Sequence, residues 1–362
     1  MPLLPNTRSG AIRDAQSLVD AGLISRDTHG DAERVAARYA VSVTPTVRSL
    51  IDATDTADPI SRQFVPTVAE LSESPNEDPD PIGDDRFSPV PGIVHRYPDR
   101  VLLKILHTCP VYCRYCFRRE RVGGTEKPLS ETEIAAAIDY VQRRPEVWEV
   151  ILTGGDPFIL SPRRLKEAVQ ALDGIDHLGV IRVHTRVPIV DPARIDAFLI
   201  DAMQAEKAVY VVVHCNHPRE LSPPAVKAIR RIIDAGIPVL SQSVLLKGVN
   251  DDAPTLEALF RSLVRARVKP YYLHHPDRAP GTRHFRPSLK RGRSLVDNLR
   301  GDVSGLCQPT YVLDIPGGHG KVPVGIEHAL ETENGDYRVR DPGGCVHDYQ
   351  DELEDDQPFA TD

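Results

Sequence analysis

Between Arg100 and Asp314 the chain alternates short apolar runs with segments that read as helices, and this alternation limits the fold more than any other feature. The runs at 101–106, 149–152, 180–185, 208–215, 237–246, 269–274 and 310–314 are mostly apolar, as strands covered on both faces must be. Helices between them have readable starts. Ser130 is followed by Glu133 as a capping box, and Ser161-Pro162, Asp191-Pro192 and Ser222-Pro223 each put a capping side chain before a proline at the first helical position. Gly236, after Asp234-Ala235, is a helix stop. Repeated strand–helix units predict a parallel α/β sheet, and six or seven of them favour a partial (β/α)6-type TIM barrel over the closed eightfold one.

In such barrels function gathers where strands end. The unusual residues fall there: Cys109, Thr153-Gly154-Gly155-Asp156-Pro157, His184, His214, Gln242, Asp277 and Asp314. The densest group is Cys109-Pro-Val-Tyr-Cys113-Arg-Tyr-Cys116, which supplies three thiolates at x3 and x2 spacing. A structural zinc site is normally closed by four protein ligands, so three suggest a centre with an open position, such as a [4Fe-4S] cluster with one free iron. Unconnected buried thiols or a zinc knuckle are the bland alternatives. Asp314-Ile-Pro-Gly-Gly-His-Gly-Lys321 fails as a phosphate loop, because Ile315 stands where the first glycine belongs and Val322 follows the lysine.

Residues 1–90 are expected to form a helical N-terminal region followed by an acidic, proline-rich linker over about 71–92. Residues 91–325 form the barrel, and 326–362 a C-terminal tail whose end, DELEDDQPFATD, reads as a solvated acidic terminus. The formal charge of −8 argues against nucleic acid or an anionic membrane as partner. No apolar run is long enough to span a bilayer, and the first residues lack a charged segment followed by an apolar one, so a cytoplasmic protein is expected. Cys215, Cys307 and Cys345 are scattered without a disulfide-framework spacing, which fits a reducing compartment.

The cysteine triplet resembles that of the radical S-adenosylmethionine (SAM) superfamily. Together with His95-Arg96-Tyr97-Pro98-Asp99-Arg100, Arg118-Arg119, Thr185-Arg186, Asn216-His217-Pro218-Arg219-Glu220, Gln242 to Asp251, Tyr271-Tyr272, His284-Phe285-Arg286 and Pro316 to Lys321, it resembles the lysine 2,3-aminomutase family over about residues 90–323. The resemblance implies a radical SAM partial barrel with a helical N-terminal extension. It implies an isomerase that moves the amino group of L-lysine from C2 to C3 using a [4Fe-4S] cluster, SAM and pyridoxal 5′-phosphate (PLP). Cys109, Cys113 and Cys116 would hold the cluster, and Gly154, Gly155, Asp156, His214 and Gln242 would line the SAM pocket. Arg96 and Arg100 would bind the PLP phosphate, Lys321 would carry PLP, and Arg118 would bind the substrate α-carboxylate.

Asp277 and Asp314 match the acids that receive the lysine ε-ammonium, and a buried ammonium needs paired charge. The implied partners are a small amino acid and a reductant of flavodoxin or ferredoxin type, in a homo-oligomer. His319 replaces a glycine of the family loop and is expected to alter the pocket. Asp252 and the lone Cys345 stand where the clostridial type has zinc-binding cysteines, so that zinc is expected to be absent. Three alternatives stay open. One is a homologue making (R)-β-lysine for elongation factor P modification, another an aminomutase for a different amino acid, and the third a non-catalytic iron-sulfur or zinc module.

Overall fold

The computed structural model describes residues 10–72, 74–124, 128–332 and 336–350. The acidic terminus discussed above, beyond residue 350, lies outside the described residues.

Nine strands follow one another across a single sheet in chain order. They are β1 Ile93–Tyr97, β2 Arg100–Leu106, β3 Glu149–Gly154, β4 Val180–Thr185, β5 Ala208–His214, β6 Val239–Val244, β7 Lys269–His274, β8 Thr310–Asp314 and β9 Lys321–Pro323. Strands β2 to β8 are mutually parallel, while β1 and β9 run antiparallel at the two edges. All nine contribute side chains to the wall of one cavity of about 610 Å³, so the sheet is curled into an open half-barrel around it. Seven of the strands match the apolar runs of the sequence. The antiparallel edges were not foreseen, being short and interrupted by charge.

The strands are not apolar on both faces. In β4, Ile181 and Val183 are fully buried on one face while Arg182 and His184 point into the cavity from the other. The outer face is covered by helices whose apolar stripes recur at three- and four-residue spacing. Pro162–Asp173 buries Leu165, Ala168, Val169 and Leu172, and Pro223–Asp234 buries Ala225, Ala228, Ile229 and Ile232. Truncating such a leucine to alanine typically costs about 2–5 kcal/mol.

The expected helix signals act unevenly. Ser130 and Glu133 form the capping box on Glu131–Gln142, and Ser161 Oγ accepts from the Arg164 amide. Ser222 makes no capping bond, and its Oγ is buried without a partner among the described residues. Asp191-Pro192 opens only a single 3-10 turn.

The N-terminal region does not pack as a separate body. Ile12, Leu18, Val43, Val47, Ile60 and Phe64 share one continuous core with the barrel. The segment expected to be a surface linker also departs from its expectation. Asp78 N donates to Arg278 O (2.8 Å), Gly281 N to Glu77 Oε2 (3.2 Å) and Gly317 N to Pro81 O (3.2 Å), so the segment straps the loops that follow β7 and β8. Its prolines and acids suggest solvent, but its backbone bonds go to those loops.

Past residue 325 the chain folds again. β10 Ala329–Glu331, β11 Tyr337–Arg340 and β12 Val346–Tyr349 form an antiparallel sheet. It is tied to the barrel where Arg340 (3.0 Å) and His328 (3.2 Å) meet Asp297. Among the described residues no helix is long and apolar enough to cross a membrane.

Candidate active site

The cavity is lined along the inner face of the strands, which carry Arg96, Arg182, His184, His214, Gln242, His274, Asp314 and Lys321, while the loops that leave their ends add the cysteines, Arg118, Asp156, Arg186 and Asp277. Cys109, Cys113 and Cys116 lie on the loop after β2, and all three line the cavity as free, half-buried thiols. Burial pushes the Cys109 thiol well above its ordinary range and that of Cys116 up to about 11. Arg186 Nη1 donates to Cys113 Sγ at 3.0 Å, a cation placed to stabilise a thiolate. Among the described residues no three His, Cys, Asp or Glu side chains converge tightly enough to ligate one metal ion. A four-iron cluster is far larger than a single ion and needs its thiolates spread.

The cysteine loop is held from behind. Glu70 is buried and accepts from Arg114 Nη2 (2.6 Å) and from Arg119, while Arg114 Nη1 donates to Ala40 O (2.8 Å). Burial alone would raise the Glu70 carboxyl, but the two guanidiniums more than offset it and hold it below its usual range. Arg186 donates further to Glu220 (2.6 Å) and Gln63 (2.8 Å). Sequence motifs singled out Arg186, Arg119 and Glu220 but supplied no partners, and Glu70 and Gln63 carried no local signal.

The glycine motif closing β3 is required by a close approach. Gly154 has φ +105°, and a Cβ there would sit 2.5 Å from Leu106 O; one on Gly155 would overlap Thr108 O. The glycines were expected to admit a ligand, yet these contacts are to the backbone just before Cys109. Asp156 is also not a free wall residue. Its carboxylate accepts from Thr185 Oγ1 (2.7 Å), Arg186 N (2.7 Å) and Phe158 N (3.1 Å), locking β3 to β4.

Four imidazole and amide side chains from neighbouring strands form a polar chain across the floor. Gln242 Nε2 lies 2.9 Å from His184 Nδ1 and 3.5 Å from His214 Nε2, and Gln242 Oε1 lies 2.8 Å from His274 Nε2. Assigning the amide so that Nε2 donates to His184 makes His274 carry its proton on Nε2 and leaves Nδ1 as an acceptor. That Nδ1 is 3.2 Å from Lys321 Nζ, which also pairs with Asp314. Burial lowers His214 to about 3 and His274 to about 4, so both rings are neutral at pH 7. His274 was not singled out by sequence, although it ends β7 just as His214 ends β5.

Lys321, at the start of β9, is placed by its main chain as well, since its amide donates to Tyr97 Oη at 2.7 Å. Arg96 lies within 3.6 Å of Asp314 and 3.7 Å of Asp84, and its Nε is buried with no hydrogen-bond partner among the described residues. Arg100 lines the same wall and stacks over Tyr97 at 3.8 Å. Arg100 Nη1 also donates to Asp99 (2.7 Å), and two guanidiniums lining the same cavity as a lysine amine suit a phosphorylated cofactor. His184, whose Nε2 is buried without a hydrogen-bond partner among the described residues, lines the same cavity. His319, by contrast, is exposed and does not line the cavity, so its bulk is directed away from the pocket.

The two acids lie in the same space with opposite properties. Burial would raise Asp314, but the ammonium of Lys321 outweighs it and holds the carboxyl below its usual range. Asp277 is pushed up to about 7, first by burial and then by the charge of Asp314. Among the described residues its side chain makes no hydrogen bond or ion pair. Arg118 lines the opposite end of the strand order, beside Thr153, with Nε on Asp84 at 3.0 Å.

Comparison with known proteins gives the family of the chain. Residues 103–259 match the radical SAM superfamily. The L-lysine 2,3-aminomutase of Fusobacterium nucleatum subsp. nucleatum is 37% identical over 342 residues, which is 94% of this chain and 80% of that protein. That of Acetoanaerobium sticklandii is 40% identical, covering 85% of this chain and 75% of the relative. The glutamate 2,3-aminomutase of Clostridioides difficile is 33% identical, covering 91% and 78%.

Proposed function

The chain belongs to the lysine 2,3-aminomutase family of radical SAM enzymes, and on that premise we propose that it moves the amino group of free L-lysine from C2 to C3 to give β-lysine. Its cofactors are a [4Fe-4S] cluster, SAM and PLP. When bound, the reduced cluster with SAM supplies hydrogen-atom abstraction, and PLP supplies delocalisation of the unpaired electron.

The chain's own residues bind, aim and exclude water. Cys109, Cys113 and Cys116 would hold the cluster as thiolates, so its binding would release protons from the Cys109 and Cys116 thiols, which burial keeps neutral. Gly154, Gly155, His214 and Gln242 form the SAM wall, with Asp156 setting the wall's shape through Thr185 and Arg186. Arg96 and Arg100 would take the PLP phosphate, and both line the cavity that Lys321 enters. Lys321 carries PLP, its Nζ aimed into the cavity by His274 and Asp314. Asp314, kept ionised beside Lys321, would also be placed to receive the substrate ammonium.

The observation that carries the reading is that the acids Asp277 and Asp314 and the guanidinium of Arg118 line one and the same cavity. An amino acid with a carboxylate at one end and an ammonium at the other satisfies both. A side-chain carboxylate, as in glutamate, would add a third anion beside two. The reading places the enzyme in the cytoplasm as a homo-oligomer served by a flavodoxin- or ferredoxin-type reductant.

The test is an anaerobic assay with reconstituted cluster, SAM, PLP and a reductant. L-lysine should yield β-lysine, and chiral analysis of the product separates a supplier of elongation factor P modification, which makes the (R) form. Turnover of another amino acid with none of L-lysine would overturn the substrate assignment.

A further inference from the structure

Asp84 belongs to the acidic, proline-rich strap, where neighbours such as Asp78, Asp80 and Asp85 suggest solvent, yet it is 3% exposed. Its burial follows from the turn that carries it. The Asp80 carboxylate accepts from the amides of Asp84 (2.8 Å) and Asp85 (2.9 Å), fixing the chain direction locally. Gly83, at φ +68°, lies so close to the loop before Lys321 that a Cβ on it would stand 3.0 Å from Gly317 C and O. From that side, a Cβ on Gly318 would stand 2.6 Å from Phe87 Cε2 and 3.1 Å from Ile82 O. The strap and the lysine loop therefore seat against each other backbone to backbone.

That seating delivers the Asp84 carboxylate to three cations. Arg118 Nε is 3.0 Å away, Lys104 Nζ 3.5 Å and Arg96 Nη2 3.7 Å. The Arg118 contact is the shortest of the three and a hydrogen bond, and among the described residues Asp84 Oδ1 is buried with no hydrogen-bond partner. A guanidinium whose Nε is held from behind keeps the edge formed by its two terminal nitrogens for a ligand, and that edge matches a carboxylate. Thr153 Oγ1, 3.5 Å from Nη1, flanks the same edge.

We propose that Asp84 is a positioning residue that aims Arg118 at the substrate α-carboxylate, and that the strap couples this aim to the seating of the Lys321 loop. The inference rests on Arg118 binding the substrate carboxylate. Asp84 touches neither substrate nor cofactor. Its contribution is to fix one of the two ends by which the amino acid is held, and so to favour ligands that carry the carboxylate.

The test compares two ligands of the PLP-loaded holoenzyme: L-lysine, and 1,5-diaminopentane, the same molecule without its carboxylate. Binding is followed by calorimetry and by the shift of the visible PLP band. In Asp84→Asn, which keeps shape and removes charge, L-lysine should bind about tenfold more weakly, while diaminopentane should bind as it does to the unaltered enzyme. Asp84→Glu, which restores the charge, should recover part of the loss. Equal weakening of both ligands would mark a general structural role and overturn the proposal, as would no change in either. If Asp84→Asn does not fold, Asp84→Glu is judged by the same ratio, because a carboxylate displaced by one methylene should misaim Arg118 and weaken L-lysine alone. Failure of the unaltered enzyme to bind L-lysine would count against the substrate reading instead. The amino acid that it does isomerise and the corresponding decarboxylated amine would then form the test pair, with the same outcomes for Asp84.

Discussion

Asp277 and Asp314 carry the same side chain into the same cavity, yet their surroundings drive them apart. Asp314 is committed to Lys321 and stays ionised, whereas Asp277 has no such partner and is held near pH 7 by burial. Only the ionised form of Asp277 attracts an ammonium, so its usefulness is lost as pH falls through about 7. With L-lysine, kcat/KM should fall about tenfold per pH unit on the acid side of that point. In Asp277→Asn the acid limb should vanish, and kcat/KM at pH 8 should drop about tenfold to hundredfold through KM. A pH–rate profile of the variant that keeps the limb would assign it to another group. Sequence resemblance singled out both acids, but a single letter D carries no information on which one has a partner.

At the scale of an element, the end of β3 shows why a short motif can be read correctly for an incomplete reason. Gly154-Gly155 looks like a ligand-facing turn, but the space a side chain would need is filled by the backbone of Leu106 and Thr108. Those atoms lead directly into Cys109, so they cannot yield without moving a cluster ligand. Gly155→Ala should cost about 1–3 kcal/mol and lower both the melting temperature and the iron content after anaerobic reconstitution. Gly236→Ala is the control, since Gly236 also has positive φ but nothing stands within 4 Å of the added Cβ. It should cost about 1 kcal/mol and leave iron unchanged. Equal iron loss in both would show a general effect of destabilisation. The strap over residues 77–88 makes the complementary point: its composition points to solvent, but it is bonded to the loops after β7 and β8 and lends Ile82 to the cavity lining.

At the scale of the molecule, the half-barrel and the C-terminal sheet are joined by few polar ties, of which Asp297 makes two. β10 to β12 expose Leu330, Val346 and Tyr349 and contribute nothing to the main core. Asp297→Ala should leave the barrel's melting temperature within about 2–4 °C of the original and speed proteolytic cleavage after residue 325. Loss of the barrel transition itself would show that the sheet supports the fold. The parallel strands, the helix stripes and the cysteine loop were legible in the chain because each rests on local periodicity, local capping or spacing within one loop. The edge strands, the C-terminal sheet and the strap were not, because their short runs acquire meaning only from what they pair with. In the same way, Cys109, Lys321 and Asp314 could be recognised from their neighbours in sequence. The pairing of Asp84 with Arg118, of Glu70 with Arg114, and of Gln242 with His274 joins residues 32 to 44 positions apart. Local chemistry therefore named the groups that react, while the folding of distant segments onto one cavity assigned each charge its partner, since burial and pairing are properties of a place and not of a residue.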